Sequence, residues 1–123
     1  MKTPPQNAPR AVVVGMGRTG LSVARYLHRQ GWRVAATDSR AEPPERAALS
    51  AISDELVLRA GGFDSSLLSD AQLVMASPGV ALNEPIFAAA RDRGIEIVGD
   101  IELFARAVDA PVVTRATHPR RVL

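Results

Sequence analysis

The stretch Val12-Val13-Val14-Gly15-Met16-Gly17-Arg18-Thr19-Gly20 constrains this chain more than any other. A β-branched run that ends in a G-x-G-x-x-G frame reads as a strand buried on both faces that turns directly into a helix. The first glycine permits the tight bend. The second lets the backbone approach a phosphate, and the third lets the helix pack on the strand. The N–H groups at the helix start, around Arg18, Thr19 and Gly20, then point at an anion. Thr19 adds a hydroxyl, for a ligand or as a helix cap. The competing reading is a packing turn that holds nothing; the strand–turn–helix context of Gly15, Gly17 and Gly20 favours the ligand.

Strand and helix signals alternate through the rest of the chain. Strands are predicted at Ala11–Val14, Arg33–Thr37, Leu56–Leu58, Leu73–Ala76 and Ile95–Val98. The first helix, Thr19 to Gln30, repeats Leu21, Ala24, Leu27 and His28 at helical spacing and is closed by Gly31. Shorter helices follow at Arg46–Ile52 and Asp64–Leu68, the latter capped by Asp64. Asn83 is the expected cap of a helix with Glu84 and Pro85 in its first turn, running to Arg93 before Gly94. Asp100 to Val108 is the last, with Asp100 and Glu102 where the helix dipole favours acids. Such alternation predicts an α/β fold: a Rossmann-like, doubly wound parallel sheet of about five strands with helices on both faces.

With 123 residues, 46% of them hydrophobic, the chain has the size and apolar content of one domain with its own core. The expected organisation is a disordered Pro-rich leader over 1–10, the domain over 11–113, and a tail over 114–123. Fifteen basic residues against thirteen acidic ones leave only +2. There is one lysine, Lys2, and aromatics are 4%, so the basic, aromatic-laced stripe of a nucleic-acid binder is missing. No apolar run approaches the ~20 residues of a membrane span, and the leader has no hydrophobic signal region. The absence of cysteine is compatible with a reducing compartment, and a cytoplasmic protein is expected.

Two more loops carry ligand chemistry. Asp38, Ser39 and Arg40 follow the second strand, and Asp38 lies near the ~20-residue offset at which a nicotinamide-cofactor domain places its ribose acid. Those residues alone would support NAD(P) as the ligand, or Asp38 as only a turn residue; Arg40 reads either as a surface salt-bridge residue or as one that closes over a ligand ring. Ser77, Pro78 and Gly79 end the fourth strand, where a hydroxyl and an N–H face the same crevice, or merely stop the strand. His28, beside apolar helix positions, reads as a packing or surface residue. His118 lies in the tail. Glu42, Glu45, Asp100 and Glu102 read as loop and helix-start charges.

The segments "VVVGMGRTGLSVARYL", "TDSR", "ASPGVALNEP" and above all "GIEIVGDIELFARAVDAPVV" resemble the N-terminal domain of the Mur ligases, in the branch that adds D-glutamate. The resemblance covers about residues 11–113. It implies a Rossmann-like domain that holds the UDP portion of a nucleotide-sugar substrate, UDP-MurNAc-L-alanine, in peptidoglycan biosynthesis. On that basis Gly17, Arg18, Thr19 and Gly20 face the diphosphate, Asp38, Ser39 and Arg40 surround the uracil, and Ser77, Pro78 and Gly79 line the uridine or diphosphate side. The family commonly has Leu at the position of Arg18 and Thr at that of Ser39.

The resemblance also implies ATP and Mg²⁺ as cofactors of the full ligase, which turns the alanyl carboxylate into an acyl phosphate for attack by D-glutamate. The family's ATP loop follows "APVV", whereas this sequence reads "TRATHPRRVL" there. A phosphate loop needs a lysine, so no catalytic residue, metal ligand or cofactor site is expected in these 123 residues. The expected function is UDP binding without catalysis. The alternatives are an NAD(P)-binding module and a non-binding remnant that self-associates, with Val112-Val113 as its sticky edge.

Overall fold

Hydrophobic residues alternate along the strands in a way that commits both faces of the sheet to burial. In the computed structural model, which describes residues 8–109, the elements are β1 (Arg10–Val14), α1 (Arg18–Arg29), β2 (Arg33–Thr37), α2 (Arg46–Ser50), β3 (Val57–Arg59), a 3₁₀ helix (Ser65–Asp70), β4 (Ala71–Ala76), α3 (Pro85–Asp92), β5 (Glu96–Gly99) and α4 (Asp100–Asp109). All neighbouring strands are parallel, in the order β3-β2-β1-β4-β5. The predicted α/β sheet of five parallel strands is what forms.

Ala11 and Val13 of β1 join Val34, Ala36, Leu73 and Met75 in a core under Leu21, Ala24 and Leu27 of α1, Leu49 of α2 and Leu103 of α4. Val12 and Val14 point the other way, with Ala35, Val74 and Ala76, and pack on Leu67, Leu68 and α3 residues Ile86, Phe87 and Ala90. Period-2 side chains thus feed two cores from one strand, as a central parallel strand requires.

Several boundaries differ from the sequence reading. β1 starts at Arg10, inside the stretch read as a leader. Ala8 is buried there; its carbonyl accepts from Arg33 Nε at 2.7 Å, and that of Pro9 accepts from the Arg33 N–H at 2.8 Å. The main chain is therefore already bound to the sheet edge before the β-branched run begins. α3 is capped by Glu84, not Asn83, because Pro85 occupies its first position and needs no N–H partner. α1 is capped by Gly17 without any side-chain bond, so Thr19 is not its cap. Asp64 does cap the 3₁₀ helix, accepting from the Ser66 N–H at 3.0 Å. Residues 1–7, the tail 114–123 with His118, and Val112-Val113 lie outside the described residues. Among the described residues no helix is long and apolar enough to cross a membrane.

Candidate functional site

In this strand order the connections from β1 and β4 leave the sheet in opposite directions, so a crevice opens between their carboxyl ends. That topological switch point is where open α/β sheets bind ligands. A cleft of about 590 Å³ lies there, within the range of small-molecule sites. The three loops singled out from sequence converge on it. Gly17, Arg18, Thr19 and Gly20 come from the β1–α1 turn, Asp38, Ser39 and Arg40 follow β2, and Ser77, Pro78 and Gly79 follow β4.

Backbone bonds hold the loops in register. Gly15 N–H donates to the Thr37 carbonyl at 2.8 Å, and Ser77 N–H to the Val14 carbonyl at 3.1 Å. The Ser77 hydroxyl donates to the Gly15 carbonyl at 3.3 Å. The three glycines of the frame answer to different constraints. Gly15 has φ +110°, and a Cβ there would lie 2.8 Å from the Ser77 side chain. A Cβ on Gly20 would lie 2.1 Å from the Gly15 carbonyl oxygen, so this glycine lets α1 close on β1. At Gly17 φ is −101°, and a Cβ would meet nothing within 4 Å. The space beside that backbone is the cleft itself. None of the Arg18, Thr19 and Gly20 N–H groups donates to a backbone carbonyl outside the helix, while Leu21 N–H closes the first turn on Gly17. Three donors at the positive end of the α1 dipole thus remain for an anion.

Asp38 is buried, and both its oxygens are taken. Oδ1 accepts from the Arg40 N–H at 2.8 Å and from Arg40 Nε at 2.9 Å. Oδ2 accepts from the Met16 N–H at 2.7 Å and from Arg40 Nη2 at 2.8 Å. The paired guanidinium, with the two backbone N–H groups, holds the carboxyl at about 2 against the opposing effect of burial. The partner guanidinium is correspondingly raised. A carboxylate has about four lone-pair sites, and here four donors fill them. In this arrangement all the acceptor sites of Asp38 are met by protein donors, whereas the nicotinamide reading would have it accept from a ribose hydroxyl. Asp38 ties the glycine loop at Met16 to the β2 loop and fixes the plane of Arg40, whose side chain stays 55% exposed at the cleft.

The cleft also includes residues the sequence reading did not single out as ligand-facing. Phe63, Val80, Ala81 and Glu84 line it together with Gly15. Phe63 arrives because Gly62 bridges Asp38 in an antiparallel contact and the Asp64 N–H donates to Thr37 Oγ1 at 2.9 Å. Gly61 and Gly62, both at positive φ just after β3, make the turn that carries the chain there. Glu84 enters as the residue before α3. His28 is buried on α1, and neither ring nitrogen has a partner among the described residues. It lies outside the cleft. Among the described residues no group of three or more His, Asp or Glu side chains is placed to hold a metal ion.

Comparison with known proteins agrees with this architecture. Residues 9–99 match the family described as Mur ligase MurD-like, N-terminal domain. The UDP-N-acetylmuramoylalanine–D-glutamate ligase of Nitrosococcus oceani is 53% identical over 109 residues, covering 89% of this chain and 24% of the relative. The enzyme of the same name from Pseudomonas aeruginosa is 42% identical over 102 residues, covering 83% and 23%. Among solved structures, a pseudomurein peptide ligase type C from Methanothermus fervidus superposes with a TM-score of 0.67 at 23% identity, over 84% of this chain and 21% of that one. That likeness bears on the fold alone. The chain spans about a quarter of the length of the curated relatives it matches. With a family match over 91 residues and 53% identity to a relative across most of its length, this chain belongs to the MurD-like Mur ligases, as their N-terminal domain.

Proposed function

We propose that this domain holds the UDP end of UDP-N-acetylmuramoyl-L-alanine for a D-glutamate-adding ligase of peptidoglycan synthesis, working in the cytoplasm. The observation that carries the reading is the switch-point cleft itself. Its β1–α1 wall presents unspent N–H groups beside Gly17, where a side chain would take up the ligand's space. Its β2 wall presents a guanidinium already fixed in plane by Asp38. In this arrangement the diphosphate sits at the α1 N-terminus, held by Gly17, Arg18, Thr19 and Gly20. The pyrimidine lies by Asp38, Ser39 and Arg40, and Ser77, Pro78 and Gly79 close the third side. Phe63 supplies an apolar wall.

These residues bind and orient the ligand and take no catalytic step. Acyl-phosphate chemistry needs groups that stabilise charge on a transferring phosphoryl, typically a phosphate-loop lysine and Mg²⁺. The only lysine in the 123 residues is Lys2. ATP and Mg²⁺ belong to the remainder of such a ligase.

The test is a titration of the chain with UDP, UDP-N-acetylmuramoyl-L-alanine and NAD, followed by backbone amide shifts. Uridine compounds should move Gly17, Thr19, Asp38 and Ser77, while NAD moves none of them. NAD binding alone at these amides would overturn the reading in favour of a nicotinamide module. Oligomers in solution with no nucleotide affinity would overturn it in favour of a self-associating remnant.

A further inference from the structure

The charges lining the cleft separate into a committed pair and two uncommitted groups. Asp38 and Arg40 neutralise each other through two side-chain bonds. Arg18, at the first position of α1, is exposed and has no ion-pair or hydrogen-bond partner among the described residues. The carboxylate of Glu84, which lines the cleft just before α3, likewise has no partner among the described residues. Arg18 is therefore the one cation of the cleft, among the described residues, whose charge is not already paired. It stands on the wall where the N–H groups of its own residue, Thr19 and Gly20 are unspent.

We propose that Arg18 is the specificity-determining residue by which this cleft distinguishes a nucleoside diphosphate from the monophosphate and the bare nucleoside. The inference rests on the reading of the cleft as a UDP site and deepens it. Three backbone donors on one helix turn converge on a single phosphate and carry only partial charge. They saturate with the first phosphoryl group. A guanidinium is a full charge with a planar fork that matches two phosphate oxygens at once, so it rewards the second group. Glu84 disfavours phosphate on its own side, which leaves that wall to the hydroxyl-bearing, uncharged part of the ligand.

The experiment compares uridine, UMP and UDP binding to the chain and to three variants: Arg18→Leu, Arg18→Lys and Arg25→Leu. Arg25 is exposed on the same helix, lies outside the cleft, and its loss changes net charge equally. Arg18→Leu should weaken UDP about tenfold, the size of one exposed charge-assisted contact, and leave uridine unchanged. Arg18→Lys should recover part of the loss, and Arg25→Leu should keep the UDP-to-uridine ratio. Raising salt from about 0.1 M to about 1 M shortens screening from about 10 Å to about 3 Å. It should compress that ratio more in the parent chain than in Arg18→Leu.

If the parent binds uridine and UDP but Arg18→Leu leaves their ratio intact, the inference fails while the UDP site stands. Equal weakening of uridine and UDP would make Arg18 a structural residue and overturn it too. An equal loss in Arg25→Leu would assign the effect to the general field of the domain. A parent chain that binds none of the three overturns both this inference and the reading beneath it.

Discussion

At Gly17 and Gly20 the same substitution should have opposite consequences. Gly20→Ala drives a methyl into the Gly15 carbonyl, a rigid backbone atom, so either α1 or the β1 turn must shift. A loss of more than about 3 kcal/mol is expected, seen as a lower urea midpoint. Gly17 has an ordinary φ and open space, so Gly17→Ala should change stability by less than about 0.5 kcal/mol. It should nevertheless weaken UDP tenfold or more in calorimetry, because the methyl occupies the phosphate's approach. Asp38 gives a pH prediction. Its folded pKa of about 2 lies below the unfolded value of about 3.8, so its contribution is present above pH 4 and lost as pH falls towards 2. About 2 kcal/mol is at stake for this buried carboxylate. Unfolding followed across that window should show an acid limb that is flatter in Asp38→Asn.

Along the elements, α1 shows how far periodicity carries and where it stops. Leu21, Ala24, Leu27 and His28 were legible as one face, and all four are buried. What spacing does not show is that the imidazole ends without a partner. Burying an unpaired polar group costs about 1–3 kcal/mol, so His28→Leu, close in volume, should raise stability by about 1 kcal/mol at neutral pH. A midpoint unchanged or lowered, at constant m-value, would count against this account. The element sequence and the parallel sheet were readable because hydrophobic runs, glycine stops and acids at helix starts agree with one another, whereas the strand order comes from the structure. Boundaries were less so: Pro85 moved the α3 cap from Asn83 to Glu84, and Arg33 recruited Ala8 and Pro9 to the sheet edge. The glycine, Asp-Ser-Arg and Ser-Pro-Gly loops were legible because short motifs follow strands. Phe63 and Glu84 were not, since a bridge from Gly62 to Asp38 and the start of α3 bring them in, and no local pattern encodes that convergence.

For the whole molecule, the cleft lies along one edge of a single sheet, and its walls are extensions of β1, β2 and β4. A ligand that bridges those loops ties three strands together and should stabilise the fold as a unit. At a hundred times its dissociation constant, UDP adds about 2.7 kcal/mol by mass action, which for a domain of this size raises Tm by about 10 °C or more. Thermal melts with UDP and with NAD at equal concentration check this; a shift with NAD and none with UDP would contradict the site. Arg106 contributes on the opposite flank, where it pairs with Glu96 of β5 and with Glu102 one turn back on α4. That clamp holds the last helix to the edge strand independently of the cleft.

The Asp38–Arg40 pair also bears on the speed and entropy of recognition. A free arginine must be frozen when it meets a partner, at a cost of about 0.5–1.5 kcal/mol for an immobilised side chain. Here folding has already restricted the guanidinium, since Asp38 grips it at 2.8 and 2.9 Å before any ligand arrives. Encounter at that wall then requires no rotamer search, and association should be limited by diffusion into the crevice rather than by rearrangement of its shelf.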